Sequence, residues 1–450
     1  MTASTSRSMS RSMTSPIALT GIARDLRARA EAGIPIRVGV IGSGEMGTDL
    51  VTQGALMDGI EIAAIATRRP HTARAAIGIA YGDESRAAEV ESPSKFSAAL
   101  EQGKIAITTA DRLVTQPEID VVIDATGKPG VAADYCLTAM EHGKHLVMMN
   151  VEADVTIGPY LKAEADRLGV VYSVGAGDEP SSCMELIEFV TALGLRVVSA
   201  GKGKNNPLNH YAVPDDYREE AIRRNMNPRM LVEFVDGSKT MVEMCAIANA
   251  TGLVPDVPGM HGPAADRDQM VKVLIPREDG GILHKKGVVD FTVGKGVAPG
   301  VFVIVEAEHP RVIERMDDLH IGHGPYYSFF RPYHLTSLEV PLTCARIMLY
   351  GKPDMVPLPQ PVAEVCAVAK RDLAAGETFD AIGETCYRSF VMTVADSRPK
   401  GALPVGLLEG GKALAPIKKG ELITTANATP DTSTNLYRLR RLQDQMLGLG

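Results

Sequence analysis

After a strand at Arg196 to Ser199, residues Gly201-Lys202-Gly203-Lys204-Asn205-Asn206-Pro207-Leu208-Asn209 read as a polar loop that crowds two lysines and three amides into nine positions. Donors at this density suit a phosphate or a polyol, whose oxygens accept from ammonium and amide N–H groups. A lysine in such a segment can also polarise a carbonyl that accepts hydride. Lys202 and Lys204 are therefore candidate catalytic residues, with Asn205, Asn206 and Asn209 as candidate substrate ligands. Upstream, Asp178 and Glu179 adjoin within Gly175-Ala176-Gly177-Asp178-Glu179-Pro180, a turn between a strand and a helix. Acids there commonly serve as caps and dipole partners. Beside a reacting centre the same pair would hold a metal ion or move a proton. Downstream, Arg331-Pro332-Tyr333-His334 follows His323-Gly324-Pro325-Tyr326-Tyr327. Arg331 and His334 could close over an anionic substrate, Arg331 as ligand and His334 in catalysis; the alternative is core tyrosines with a satisfied buried histidine. No HExxH or similar histidine spacing indicates a zinc site.

These groups need a platform, and the N-terminal third supplies one. Ile36 to Ile41 is a short, β-branched apolar run, as in a buried parallel strand. Gly42-Ser43-Gly44-Glu45-Met46-Gly47 follows, and Leu50, Val51, Ala55 and Met57 then recur at helical spacing. Strand, GxGxxG and helix form the dinucleotide fingerprint. Its glycines permit a tight turn, close approach of pyrophosphate, and close helix packing. The helix N-terminus adds free N–H groups and dipole for the phosphates. The next strand, Ile60 to Ala66, ends in Thr67-Arg68-Arg69 rather than the carboxylate that accepts from the ribose 2′-hydroxyl of NAD. Arg68 and Arg69 suit a 2′-phosphate, which favours NADPH. Further strands at Ile119 to Ile123 and His145 to Met149 end at Ala125-Thr126-Gly127 and Asn150, all predicted to border the cofactor.

Alternating strands and helices predict an α/β fold with a doubly wound parallel sheet over residues 17–155, opened by a short amphipathic helix at Ile17 to Ala32. An α+β substrate and dimerisation domain is expected over 156–325, with Met230 to Glu243 as a hairpin about Asp236-Gly237-Ser238. Residues 326–350 return a helix to the first domain, and the proline-rich 351–361 is a linker. Residues 362–450 are a small β-rich module with strand-like stretches at Cys366 to Ala369, Ala374 to Glu377, Val405 to Leu408 and Ala415 to Glu421, closed by an amphipathic helix from Asn435. Residues 1–16, rich in Ser, Thr, Met and Arg, are expected to be a disordered leader. A net charge of -8 argues against nucleic acid and anionic lipid as partners. No apolar run is long enough to span a membrane. Six scattered cysteines without a CxxC pair fit reduced thiols in a cytoplasmic enzyme.

The blocks Gly42 to Gly47, Gly175 to Pro180 and Gly201 to Asn206 follow the layout of homoserine-dehydrogenase-like enzymes, and Gly322 to Pro325 sits where that family returns its chain to the cofactor domain. Ala369-Lys370-Arg371-Asp372-Leu373-Ala374-Ala375-Gly376-Glu377 resembles the opening of an SAF (β-clip) domain. With Met148 to Thr156 and Arg331 to Ser337 added, the chain closely resembles the DXR-like (DRL) enzymes from about Ile17 to its end. The resemblance implies conversion of 1-deoxy-D-xylulose 5-phosphate to 2-C-methyl-D-erythritol 4-phosphate in isoprenoid precursor synthesis. It also implies NADPH, a divalent cation (Mg²⁺ or Mn²⁺, with Asp178 and Glu179 as candidate ligands) and a homodimer. Asn150-Val151-Glu152 replaces the Asn-Lys of homoserine dehydrogenases, so their amino-acid substrate is not expected. Two other readings stay open: an NADP-dependent dehydrogenase of another small hydroxy acid or sugar acid, and a non-catalytic sensor of nucleotide or carbohydrate.

Overall fold

The computed structural model describes residues 18–224 and 226–449; the predicted leader lies outside the described residues. The first sheet has seven strands: β1 (Ile36–Ile41), β2 (Ile60–Ala66), β3 (Ala87–Glu89), β4 (Ile105–Thr108), β5 (Val121–Asp124), β6 (His145–Met148) and β7 (Tyr172–Val174). Their order is β3-β4-β2-β1-β5-β6-β7 and every pairing is parallel. The strands are apolar throughout because both faces are covered. Val38 and Val40 pack with Leu50, Ile77 and the helix Val340–Tyr350 on one side. Ile41, Val122 and Leu146 pack with the helices Pro129–Glu141 and Val151–Leu168 on the other. The chain order reverses between β1 and β5, which opens the crevice where such sheets bind ligands. The sheet continues to β7, beyond residue 155 where the sequence places the boundary, because the crossover helix Val151–Leu168 returns one more strand to the edge of β6. The N-terminal helix, Gly21–Glu31, lies on this domain through its buried Leu26.

The second sheet orders β12 (Tyr326–Arg331), β11 (Val301–Glu306), β8 (Arg196–Lys204), β10 (Val288–Val293) and β9 (Val254–Pro255). Central β8 runs parallel to β10 and antiparallel to β11. Two sequence expectations need correction here. Gly201 to Lys204 is the end of β8, not a loop. A Cβ at Gly201 would lie 1.7 Å from the Asp290 carbonyl oxygen, and one at Gly203 1.9 Å from that of Val297. The glycines thus line the crowded face, and the two-residue period of a strand presents Lys202 and Lys204 together on the other. Met230 to Glu243 is not a hairpin but two helices, Pro228–Val235 and Ser238–Thr251, joined through Gly237 at φ 87°. Asn227 caps the first, and Leu231, Val232 and Val235 fall on one buried helical face. The second is buried nearly all round, between the second sheet and the C-terminal module.

In that module β13 (Ala363–Ala369) pairs antiparallel with β14 (Tyr387–Thr393), and β15 (Lys412–Ala413) with β16 (Ala428–Thr429). Of the predicted strand-like stretches only Cys366 to Ala369 is a regular strand. Val405–Leu407 is a short 3-10 helix, and the stretches at Ala374 and Ala415 are turns with isolated bridges. The final helix, Asn435–Met446, packs back on the first domain, where Arg440 lies buried between Glu364 and Asp444. All six cysteines are free and buried. No helix among the described residues is long and apolar enough to cross a membrane.

Candidate active site

The carboxyl ends of β1, β2, β5 and β6 carry the cofactor residues expected from the sequence. Gly42, at φ 116°, passes so close to Ala125 that a Cβ would lie 2.7 Å from its carbonyl oxygen. A Cβ at Gly47 would lie 2.3 Å from the Gly42 carbonyl oxygen, whereas one at Gly44 would meet nothing within 4 Å. The first and third glycines are therefore required by packing, and the second leaves room for a ligand backbone. Ser43 Oγ lies 2.7 Å from Thr67 Oγ1, which ties the glycine turn to the end of β2. Glu45 opens the helix Glu45–Leu56 and is exposed, as are Arg68 and Arg69; Met46 is half-buried. Neither Arg68 nor Arg69 has an ion pair among the described residues. Thr126 N–H donates to Asp124 Oδ1 (2.8 Å), and Gly127 follows at φ 61°. Asn150 is buried; its Nδ2 donates to Asp124 and its Oδ1 caps the helix Val151–Leu168. These bonds tie the β6 end and the helix to the β5 end.

Asp178 and Glu179 follow β7 and begin the helix Glu179–Ala192, so they stand where the first sheet meets the second. Glu179 reaches Lys202 on β8, and from the buried helix Ser238–Thr251 so does Glu243. Lys202 thus lies enclosed between two carboxylates. Burial alone would lower its pKa, but the two acids outweigh this and hold the ammonium above the usual lysine range. Glu243 is fully enclosed; burial and the neighbouring Glu179 charge push it up. Lys239 lies 3.8 Å from Asp178 and 3.4 Å from Glu152, and burial raises Asp178 to about 6.

Lys204 differs from Lys202. Its Nζ donates only to the Phe234 carbonyl, at 2.9 Å, and no carboxylate pairs with it among the described residues. Burial, followed by repulsion from Lys202, lowers its pKa to about 8. Both lysines line a cavity of about 260 Å³ with Glu179, Asn205, Asn206, Arg224 and His334. His334 Nε2 is 3.6 Å from Glu179, and its Nδ1 is buried without a partner. The segment that presents it is strained: Thr336 is at φ 48°, its N–H bonded to the Gly177 carbonyl. Ser337 Oγ donates to Asp49 on the first domain (2.9 Å), which locks this segment over the crevice.

Two sequence candidates stand elsewhere. Arg331 does not line this cavity; its guanidinium donates to both oxygens of Glu339 (2.8 Å each) and to Glu185 (3.0 Å). Asn209 also lies outside, its Oδ1 accepting from Tyr211 N–H. Glu243 and Arg224 were missed. A lone glutamate within Met241-Val242-Glu243-Met244-Cys245 signals a buried acid once that segment is read at helical period.

Comparison with known proteins agrees with this division. Residues 38–175 match the NAD-binding domain of homoserine dehydrogenase, and residues 177–340 match the catalytic domain of oxidoreductase DRL. The matches support a DRL-type, NAD(P)-dependent oxidoreductase. A search of curated proteins found no match. Among solved structures, a probable dehydrogenase from Thermotoga maritima is 14% identical, over 71% of this chain and 90% of its own, with TM-score 0.41. A mutant 3-ketoreductase from Actinomadura kijaniata, in complex with TDP-benzene and NADP, is 15% identical over 71% of this chain and 91% of its own, with TM-score 0.36.

Proposed function

We propose that the chain uses NADPH to convert 1-deoxy-D-xylulose 5-phosphate to 2-C-methyl-D-erythritol 4-phosphate. The observation that carries this reading is the pair of lysines on one face of β8, in a small polar cavity whose wall includes Glu179 from the end of the cofactor sheet. At about 260 Å³ the cavity is just below the range of drug-sized ligand pockets, roughly 300–1,000 Å³, and suits a compact, polar substrate. Asn205, Asn206 and Arg224 supply donors for a phosphate. Lys202, fixed between two acids, orients a substrate oxygen. Lys204 holds a proton that is transferable near neutral pH. Bound NADPH would supply hydride to the carbonyl carbon of the rearranged aldehyde, and Lys204 is placed to give the proton its oxygen needs. The choice of NADPH rests on Arg68 and Arg69.

The donor set Asp178, Glu179 and His334 fits a divalent cation: one ligand atom from each lies within 4.8 Å of the others. Four carboxylates (Glu152, Asp178, Glu179 and Glu243) face two ammoniums there, Lys202 and Lys239, and the orphaned His334 Nδ1 marks incomplete satisfaction. A bound cation would gather carbonyl and hydroxyl oxygens of the substrate. On the same reading the C-terminal module is an SAF domain and the enzyme is a cytoplasmic homodimer.

The test is NADPH oxidation with 1-deoxy-D-xylulose 5-phosphate and Mg²⁺ or Mn²⁺, repeated after chelation, with the product identified by mass. Metal-dependent formation of the methylerythritol phosphate is expected. Cofactor binding without turnover of this substrate, but with turnover of another sugar or hydroxy acid, would replace the substrate assignment. No turnover of any candidate, with Lys204→Ala leaving binding unchanged, would favour a sensor.

A further inference from the structure

We propose a second divalent-cation site, separate from the cavity above, formed by Asp256, His261 and His284 and suited to a late first-row ion such as Zn²⁺. Asp256 and His261 follow edge strand β9, and His284 precedes β10, so the three residues join two segments at the open edge of the second sheet. The Asp256 side chain is wholly enclosed. Its Oδ2 lies 2.7 Å from His261 Nε2 and 3.0 Å from His284 Nδ1, and it also accepts the His284 backbone N–H at 2.9 Å. Its other oxygen, Oδ1, is buried and has no hydrogen-bond partner. A fully buried carboxylate with one oxygen crowded by three nitrogens and the other bare is not a completed hydrogen-bond site.

Two imidazoles converging on one carboxylate oxygen are a metal site with protons in place of the ion. In a tetrahedral site with metal–ligand bonds of about 2.0–2.1 Å, ligand atoms lie roughly 3.3 Å apart. The Asp256 oxygen needs to draw back from the two imidazoles by only about 0.3–0.6 Å to reach this spacing, and all three ligand atoms already lie within 4.8 Å of one another. The framework is already held: His261 and Gly262 N–H donate to the two oxygens of Asp290 on β10, at 3.1 and 2.9 Å. The His284 side chain is 48% exposed, which leaves an entry path, freedom to turn, and a place for a water ligand. Two imidazoles with one carboxylate favour zinc, cobalt or nickel over magnesium or calcium. The ion would pin the edge strand to the segment before β10, a structural role.

The test uses the full chain, stripped with chelator and desalted, then titrated with Zn²⁺ or Co²⁺. Bound metal is counted by mass spectrometry, Co²⁺ coordination is read from its visible absorption, and thermal unfolding is followed with and without Zn²⁺. The wild type is expected to hold one equivalent that His284→Ala and His261→Ala lose and that Glu179→Gln retains. Zn²⁺ should raise the unfolding temperature of Glu179→Gln, in which the first site lacks a ligand, and adding either histidine substitution to that variant should abolish the rise. Because His284 is half-exposed, His284→Ala keeps the fold, checked by circular dichroism. Retention of that equivalent by either histidine variant, or its absence from wild type, overturns the proposal.

Discussion

Replacing Lys204 with Gln separates chemistry from stability because the two effects have opposite signs. The Lys204 ammonium is buried, donates to the Phe234 carbonyl, and has no carboxylate partner among the described residues. With its pKa near 8 the group is about ten-to-one protonated at pH 7. If it donates to the reacting oxygen, its loss removes about 2–4 kcal/mol of transition-state stabilisation, or roughly 30- to 1,000-fold in kcat/KM. Wild-type activity should fall tenfold per pH unit above about pH 8, and the variant should lose that limb. For folding, a pKa lowered from 10.5 to about 8 means the unfolded chain binds more protons. The group's contribution to stability is full above the unfolded value and is lost as pH falls through the folded one. At pH 7 the ammonium therefore opposes folding, by up to about 3 kcal/mol, and Lys204→Gln should unfold at an equal or higher temperature. Steady-state kinetics from pH 6 to 10 and thermal melts decide the matter. Activity within threefold of wild type at pH 7, or an unchanged alkaline limb, would refute this role.

The fingerprint glycines make a paired prediction. Gly44→Ala should keep the unfolding temperature and lose NADPH binding, measured by fluorescence titration, whereas Gly47→Ala should lose stability, since its Cβ collides with the Gly42 carbonyl. Arg68→Ala with Arg69→Ala should weaken NADPH by about 3–6 kcal/mol, at about 1.5–3 kcal/mol for each charged hydrogen bond lost, and leave NADH binding unchanged; an equal effect on both nucleotides would remove the 2′-phosphate role. Lys202→Met leaves Glu179 and Glu243 facing each other and should cost about 3–5 kcal/mol in denaturant melts, with partial recovery in Lys202→Met/Glu243→Gln. No recovery would mean that the ammonium is not there to neutralise both acids.

The first domain was legible because its signals are local: a β-branched run, three glycines at fixed spacing, and a helix. The site was legible by residue type and not by shape. Lys202 and Lys204 were recognisable, but Gly201 and Gly203 suggested a loop, whereas they are imposed by the carbonyls of Asp290 and Val297 from distant segments. Val232, Val235 and Val242 carry β propensity, and it took the buried slot between the sheet and the C-terminal module to make that segment helical. That error hid Glu243. Arg331 looked like an anion ligand because nothing in the local sequence shows that Glu185, far upstream, shares it with Glu339. Asp256, His261 and His284 were invisible to spacing rules because the fold, not a motif, brings them together.

The central claim is that hydride passes from a nicotinamide on the first domain to a sugar phosphate held beside Lys202 and Lys204. The most direct measurement is a single turnover of 1-deoxy-D-xylulose 5-phosphate with NADPH deuterated at nicotinamide C4, followed by mass spectrometry of the sugar product. Deuterium from the labelled face should appear on one carbon of the methylerythritol phosphate, in step with NADP⁺. A sugar product without deuterium, or NADPH left intact while the sugar is consumed, would contradict the account.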